Sequence, residues 1–241
     1  MFVLEVADLH ASYARRPVLN GIDVRIEAGE WFCLLGPNGV GKSTLLHCLA
    51  TRINPTKGTI RIADVDLHRS PEDAKRALGF ACAPEQLPQL LTGRQCLEVF
   101  AAAKQRDVID ADVLALAELL RLTPYLNQYV DTYSLGTRQK LCVLLALLSE
   151  PKLIVLDEAF NGLDPRSALI LKHELKRRLH RESAVLLATH SLDIVEHHAD
   201  RAALMMSGHI VREWSAQELR GMRKRGQDFE AMLAEASETL N

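Results

Sequence analysis

Apolar and polar residues follow two rhythms along this chain, and the changes of rhythm divide it. In "FVLEVADL", "VLNGIDVRIEAGE" and "GTIRIADVDL" apolar positions recur every second residue between Gly, Asn and Asp turn signals, which predicts half-buried β-strands. Between the second and third of these, "WFCLLGPNGVGKSTLLHCLA" passes from a continuous apolar strand through a glycine-rich turn into an amphipathic helix. From about Leu87 to Ser149 the spacing becomes three and four residues, in "LTGRQCLEVFAAAKQ", "DADVLALAELLRL" and "LGTRQKLCVLLALLSE", and predicts helices. From Lys152 the strands "KLIVLD", "AVLLATH" and "RAALMM" alternate with the helices "PRSALILKHELKRRLHR", which has Pro165 in its first turn, and "SLDIVEHHA". Such alternation predicts a mainly parallel sheet covered on both faces.

The expected organisation is one domain over residues 1–241. Its α/β core takes residues 1–86 and 150–214, and residues 87–149 form a helical insertion. Residues 215–241 read as one or two surface helices, with the basic stretch "RGMRKR" ahead of an acidic end, a solvated face in preference to a binding patch.

Composition narrows the classes. The 241 residues are 48% hydrophobic and 25% charged, the profile of a globular chain long enough to bury a sizeable core. Lys and Arg number 29 against 31 Asp and Glu, so a net charge of −2 gives no field to recruit nucleic acid or an anionic membrane, and no nucleic-acid partner is expected. Five scattered cysteines in apolar contexts read as buried reduced thiols. Glu5 and Asp8 interrupt the N-terminal apolar stretch, against a signal peptide, and no apolar run approaches the ~20 residues of a membrane span. A cytoplasmic chain is the expectation.

The chemistry starts at "GPNGVGKST". A G-x-x-x-x-G-K-[ST] string between a strand and a helix is a phosphate-binding loop, an ordinary glycine turn being far less compatible with that context. Gly36, Pro37, Asn38, Gly39, Val40, Gly41, Lys42, Ser43 and Thr44 are therefore candidates to hold a nucleoside triphosphate. Gly39 and Gly41 let the backbone wrap a phosphate, Lys42 reaches the β and γ phosphates, Ser43 ligates Mg²⁺ and Thr44 adds a contact. "KLIVLDE" ends a buried strand on Asp157, a second Mg²⁺ ligand, and Glu158 follows as the general base that polarises or orients water. His190 closes the next strand, at the edge where an open α/β sheet keeps its ligand. His197 and His198 lack a carboxylate or Cys to complete a metal spacing. In "TYSLGTRQK", a Ser and a Gly ahead of a helix make a second anion cup.

Together "GPNGVGKST", "YSLGTRQ", "LIVLDEAFNGLDP" and "ATHS" resemble the nucleotide-binding subunits of ATP-binding cassette (ABC) transporters over nearly the whole chain, and most of all their export-type members. The resemblance implies a P-loop NTPase core of RecA-like form, with an N-terminal antiparallel β subdomain and an inserted α-helical subdomain. It implies ATP and Mg²⁺ as cofactors, Lys42, Glu158 and His190 as catalytic residues, and Tyr13 as the aromatic stacked on adenine. It also implies a head-to-tail pair of subunits, with Ser134 and the backbone at Gly136 contacting the γ-phosphate in trans and Asp164 across the interface. Such a pair sits on the inner face of the membrane beneath a separate permease, received near Ala83 to Gln95.

Two positions depart from the family pattern. Leu135 replaces a glycine of the signature, and "LGFACAPEQLPQLLTG" leaves Ala83, Glu85 or Gln86 at the position of the family's glutamine. A nucleic-acid or ribosome-associated ABC ATPase and a weakly hydrolysing regulatory subunit are the rival readings.

Overall fold

In the computed structural model, which describes residues 1–14 and 16–225, two sheets face each other across one helix. β1 (Phe2–Tyr13) and β2 (Arg16–Glu27) pair antiparallel, with Val6 opposite Val24. β3 (Trp31–Leu35) leads through the glycine-rich turn into α1 (Lys42–Leu49). β4 (Lys57–Ile62) and β5 (Val65–Asp66) then complete the antiparallel sheet, in the order β2-β1-β4-β5. α2 (Pro71–Ala77) and β6 (Leu78–Ala81) precede three further helices, α3 (Gly93–Ala103), α4 (Ala111–Leu119) and α5 (Leu135–Leu147). β7 (Leu153–Asp157), α6 (Pro165–Leu179), β8 (Ala184–Ala188), α7 (Leu192–His198), β9 (Arg201–Met206), β10 (His209–Trp214) and α8 (Ala216–Arg225) follow.

The second sheet has the order β10-β9-β3-β8-β7-β6 and is parallel except for the antiparallel edge strand β10. Its central strands are apolar throughout because both faces are covered. In β3, Trp31, Cys33 and Leu35 join a core shared with α3 to α6, while Phe32 and Leu34 join one shared with α1 and the antiparallel sheet. β7 divides likewise, Ile154 and Leu156 to one side, Leu153 and Val155 to the other. The parallel strands therefore end along one edge, where the turns after β3, β7 and β8 meet.

Local chemistry sets the helix starts. Thr92 and Gln95 form a reciprocal capping box at α3, the Gln95 N–H donating to Thr92 Oγ1 at 3.2 Å and the Thr92 N–H to Gln95 Oε1 at 2.8 Å. Asp164 caps α6 ahead of Pro165.

The structure corrects several expectations. "GTIRIADVDL" is two strands, because Ala63 and Asp64 both take positive φ (48° and 64°) and turn the chain back so that Ile62 opposes Val65. A similar turn at Ser207 and Gly208 makes β10, a strand the periodicity reading omitted, as it did the short α2 behind Ser70. α8 is not a wholly solvated face: Leu219 and Met222 are buried in the core, and Arg223 donates to the carbonyls of Val195, Glu196 and Ala199 at the end of α7. The acidic end lies outside the described residues. All five cysteines are free and buried. Among the described residues no helix is long and apolar enough to cross a membrane.

Candidate nucleotide-binding site

The turn from β3 to α1 is shaped by two glycines. Gly36 has φ 147°, and a Cβ there would run into the carbonyl of Met205; Gly41 has φ 115°, and a Cβ would lie 2.9 Å from Met205 Cε and 3.2 Å from the carbonyl oxygen of Val18. Gly39 meets nothing within 4 Å, so the outer side of the turn is open. Gly41 is the N-cap of α1 and brings no side chain, and the first turn of the helix carries no acidic residue. The opening amides of α1 thus present positive potential with no side-chain acceptor of their own, the electrostatic shape of an anion site. Lys42 is only 6% exposed, and its ammonium donates to the carbonyls of Gly36 (2.6 Å) and Pro37 (3.1 Å).

Facing this turn is a cleft of about 140 Å³ lined by Asn38, Gly39, Gly41, Lys42, Ser43, Thr44, Asp157 and Glu158. Asp157 ends β7, level with Ala188 at the end of β8. Glu158 follows with φ 48°, its N–H bonded to the Ala188 carbonyl at 2.9 Å. Its carboxylate meets His190 Nδ1 at 2.9 Å through Oε1, and Thr189 Oγ1 (3.3 Å) and Asn161 Nδ2 (3.4 Å) through Oε2. The last two contacts were not anticipated from the sequence. Among the described residues no three His, Cys, Asp or Glu side chains gather to hold a metal ion. The cleft instead offers the Ser43 hydroxyl and the Asp157 carboxylate. That donor pair suits a magnesium ion that takes its remaining ligands from phosphate and water.

The other candidates lie outside the lining of this cleft. Ser134 is the exposed N-cap of α5, its Oγ accepting from the Thr137 N–H at 3.3 Å. Gly136, expected ahead of the helix, is instead the second residue of α5, and it packs so closely on the turn before α6 that a Cβ would lie 2.9 Å from the Gly162 carbonyl oxygen. Asp164, expected across an interface, spends its carboxylate within the chain: it accepts from the Ser167 N–H (2.9 Å) and Oγ (2.7 Å) and pairs with Lys140 at 3.1 Å. Hydrogen bonds from Ser167, with Lys140 beside them, hold that carboxyl well below the usual carboxylate range. Tyr13, at the end of β1, is 51% exposed. Of the three residues left open for the glutamine position, Ala83 precedes a single 3₁₀ turn that contains Glu85 and Gln86, and the Gln86 side chain accepts from Arg52.

A parallel sheet whose strand-end carboxylates confront a glycine-rich turn and the start of a helix is the framework of a P-loop NTPase. The chain matches the family model described as ABC transporter over residues 19–161, more than half its length, and belongs to that family. It is 32% identical over 212 residues to Nod factor export ATP-binding protein I of Rhizobium meliloti (strain 1021), covering 87% of this chain and 63% of that protein. It is 31% identical over 228 residues to the daunorubicin resistance ATP-binding protein DrrA3 of Streptomyces coeruleorubidus, covering 94% of this chain and 72% of that one. Measured against the Nod factor relative, the chain spans under two thirds of its length. A solved ATP-binding subunit of an ABC transporter superposes with a TM-score of 0.87 at 27% identity, covering 98% of this chain and 99% of that one.

Proposed function

We propose that this chain binds ATP in the cleft, pairs head to tail with a second copy or close relative, and hydrolyses the nucleotide to drive a separate membrane permease in export. The observation that carries this reading is an asymmetry. Lys42, Ser43, Thr44, Asp157 and Glu158 share one cleft, while the second anion cup at Ser134 and Gly136 packs on Gly162 outside it. One chain thus has two helix starts that can face a phosphate, at α1 and at α5, and one set of reacting side chains. Two chains turned end for end remove the mismatch, each closing Ser134 and the Gly136 backbone on the nucleotide of the other.

In that arrangement Lys42 exchanges the carbonyls of Gly36 and Pro37 for the β and γ phosphates, and Thr44 adds a contact. Ser43 and Asp157 hold Mg²⁺, which neutralises part of the triphosphate charge when bound. Glu158 takes the proton of the attacking water, His190 faces the γ-phosphate, and Tyr13 stacks on adenine. Asp164, anchored to Lys140 and Ser167, steadies the turn at the seam between copies. Closure depends on the γ-phosphate, so hydrolysis opens the pair, a two-state switch that a permease at the inner membrane face can follow. The name of the Nod factor export relative supports export as the direction.

The test is Glu158→Gln. Hydrolysis should fall by about 10²- to 10⁴-fold while ATP drives the variant from monomer to dimer in sedimentation. Hydrolysis at the parental rate removes the assigned base, and a variant that stays monomeric with ATP removes the trans site. Copurification with a multispan membrane protein and transport into inverted vesicles test the permease and the direction.

A further inference from the structure

Glu158 is fixed at its backbone by the hydrogen bond to Ala188 and by its left-handed φ of 48°, but the side chain has three rotatable bonds of its own. Three donors hold its end, and they differ in kind. His190 is 64% exposed at its side chain and Asn161 is exposed, so both compete with water for the carboxylate. Thr189 is 2% exposed.

Thr189 is also the most firmly held of the three. Its N–H donates to the Leu34 carbonyl at 3.1 Å, tying it to β3 beneath the glycine-rich turn. Its β-branched side chain is stiff at χ1. Its Oγ1 accepts the Ser191 N–H at 3.0 Å, which occupies a lone pair and leaves the single hydroxyl proton to donate. The partner within reach is Glu158 Oε2 at 3.3 Å, an ionised carboxylate that can only accept.

We propose that Thr189 is a positioning residue for Glu158: its buried hydroxyl pins Oε2, so that Oε1 is the oxygen left facing His190 and the nucleotide cleft. The proposal rests on the ATPase reading above for its kinetic consequence, and on the geometry alone for its structural one. Thr189→Val keeps the shape and the branch at Cβ but removes the hydroxyl, and Thr189→Ser keeps the hydroxyl.

The experiment measures kcat and KM for ATP in the parent and both variants, and determines crystal structures of the parent and Thr189→Val without nucleotide. A hydrogen bond to a charged acceptor corresponds to about ten- to a hundredfold in rate. Thr189→Val should lose kcat by that factor with KM within about twofold of the parent, since nucleotide contacts are untouched. Thr189→Ser should recover most of the loss. In the Thr189→Val crystals the Glu158 carboxylate should leave its single position and spread over several rotamers. A parental kcat in Thr189→Val, or a Thr189→Ser variant as impaired as Thr189→Val, overturns the assignment. So does a Glu158 that keeps its place without the hydroxyl, even in an active enzyme. A Glu158 that loses its place in a protein unable to hydrolyse ATP supports the assignment and retires the ATPase reading instead.

Discussion

His198 should make this protein acid-labile in a defined window. It ends α7, its ring stacks on that of Trp31 with centroids 5.7 Å apart and planes at 25°, and its buried Nδ1 has no hydrogen-bond partner among the described residues. Burial, and then the nearby charges of Lys172 and Lys176, push its pKa from the ordinary 6.5 down to about 4. An unfolded chain therefore takes up this proton near pH 6.5, whereas the folded chain resists it until about pH 4. Between those values the unfolded state binds more protons, so the contribution is fully present above about pH 6.5 and is lost as the pH falls toward 4. At about 1.36 kcal/mol per pH unit the ceiling is roughly 3 kcal/mol. Because the ring is only partly buried, solvent screening reduces that to about 1–2 kcal/mol. His198→Phe keeps an aromatic ring on Trp31 and removes the proton site. Urea unfolding at about pH 7 and about pH 4.5 should show the parent losing about 1–2 kcal/mol more than the variant between the two conditions. Parallel losses would mean that His198 takes its proton as readily in the fold as outside it, and the reasoning from burial would be refuted.

Two further substitutions probe the connection between α5 and α6. Arg178 is 1% exposed, donates to Glu174 at 2.7 Å and to the Leu147 carbonyl at the end of α5 at 3.3 Å. Arg178→Met should destabilise the fold by about 2–4 kcal/mol in urea, because it leaves a largely buried carboxylate with Arg177 as its remaining ion-pair partner, and adding Glu174→Leu should restore at least part of that. An unchanged midpoint would show that this ion pair contributes nothing net. Gly136→Ala places a methyl 2.9 Å from the Gly162 carbonyl and must shift one turn against the other. In a Glu158→Gln background, sedimentation should show ATP-driven pairing weakened by about tenfold or more, with ATP binding to the single chain unaltered; equal pairing would detach this turn from the trans contact.

How much of this was legible in the amino-acid order follows from the range over which each feature is determined. β3, β7 and β8 announce themselves because burial on both faces forces apolar residues at every position, and the glycine-rich turn because its φ values of 147° and 115° exclude side chains. α3 and α6 are signalled by caps within three residues of their starts. The two hairpins are harder, since Ala63 and Ser207 are not the usual residues of left-handed turns. α8 carried two large apolar residues among many charges, and only the tertiary neighbourhood of α7 shows that Leu219, Met222 and Arg223 are engaged.

The site divides along the same line. Lys42, Ser43 and Asp157 sit in local strings whose spacing implies their chemistry, but the surroundings of Glu158 come from Asn161 three residues on and from Thr189 and His190 more than thirty residues on. Asp164 shows the converse: the family resemblance implied a contact between chains, and the structure adds a pairing with Lys140 on α5 that no local spacing signals. That pairing joins the turn before α6 to the helix that opens at Ser134, and Gly136 against Gly162 joins them again. The start of α5 is therefore carried on the same packed unit as the turn that follows Glu158. If the pairing proposed above holds, a ligand that drew Ser134 and Gly136 toward a second chain would also load the segment that follows Glu158, through the Lys140–Asp164 pair and the Gly136–Gly162 contact.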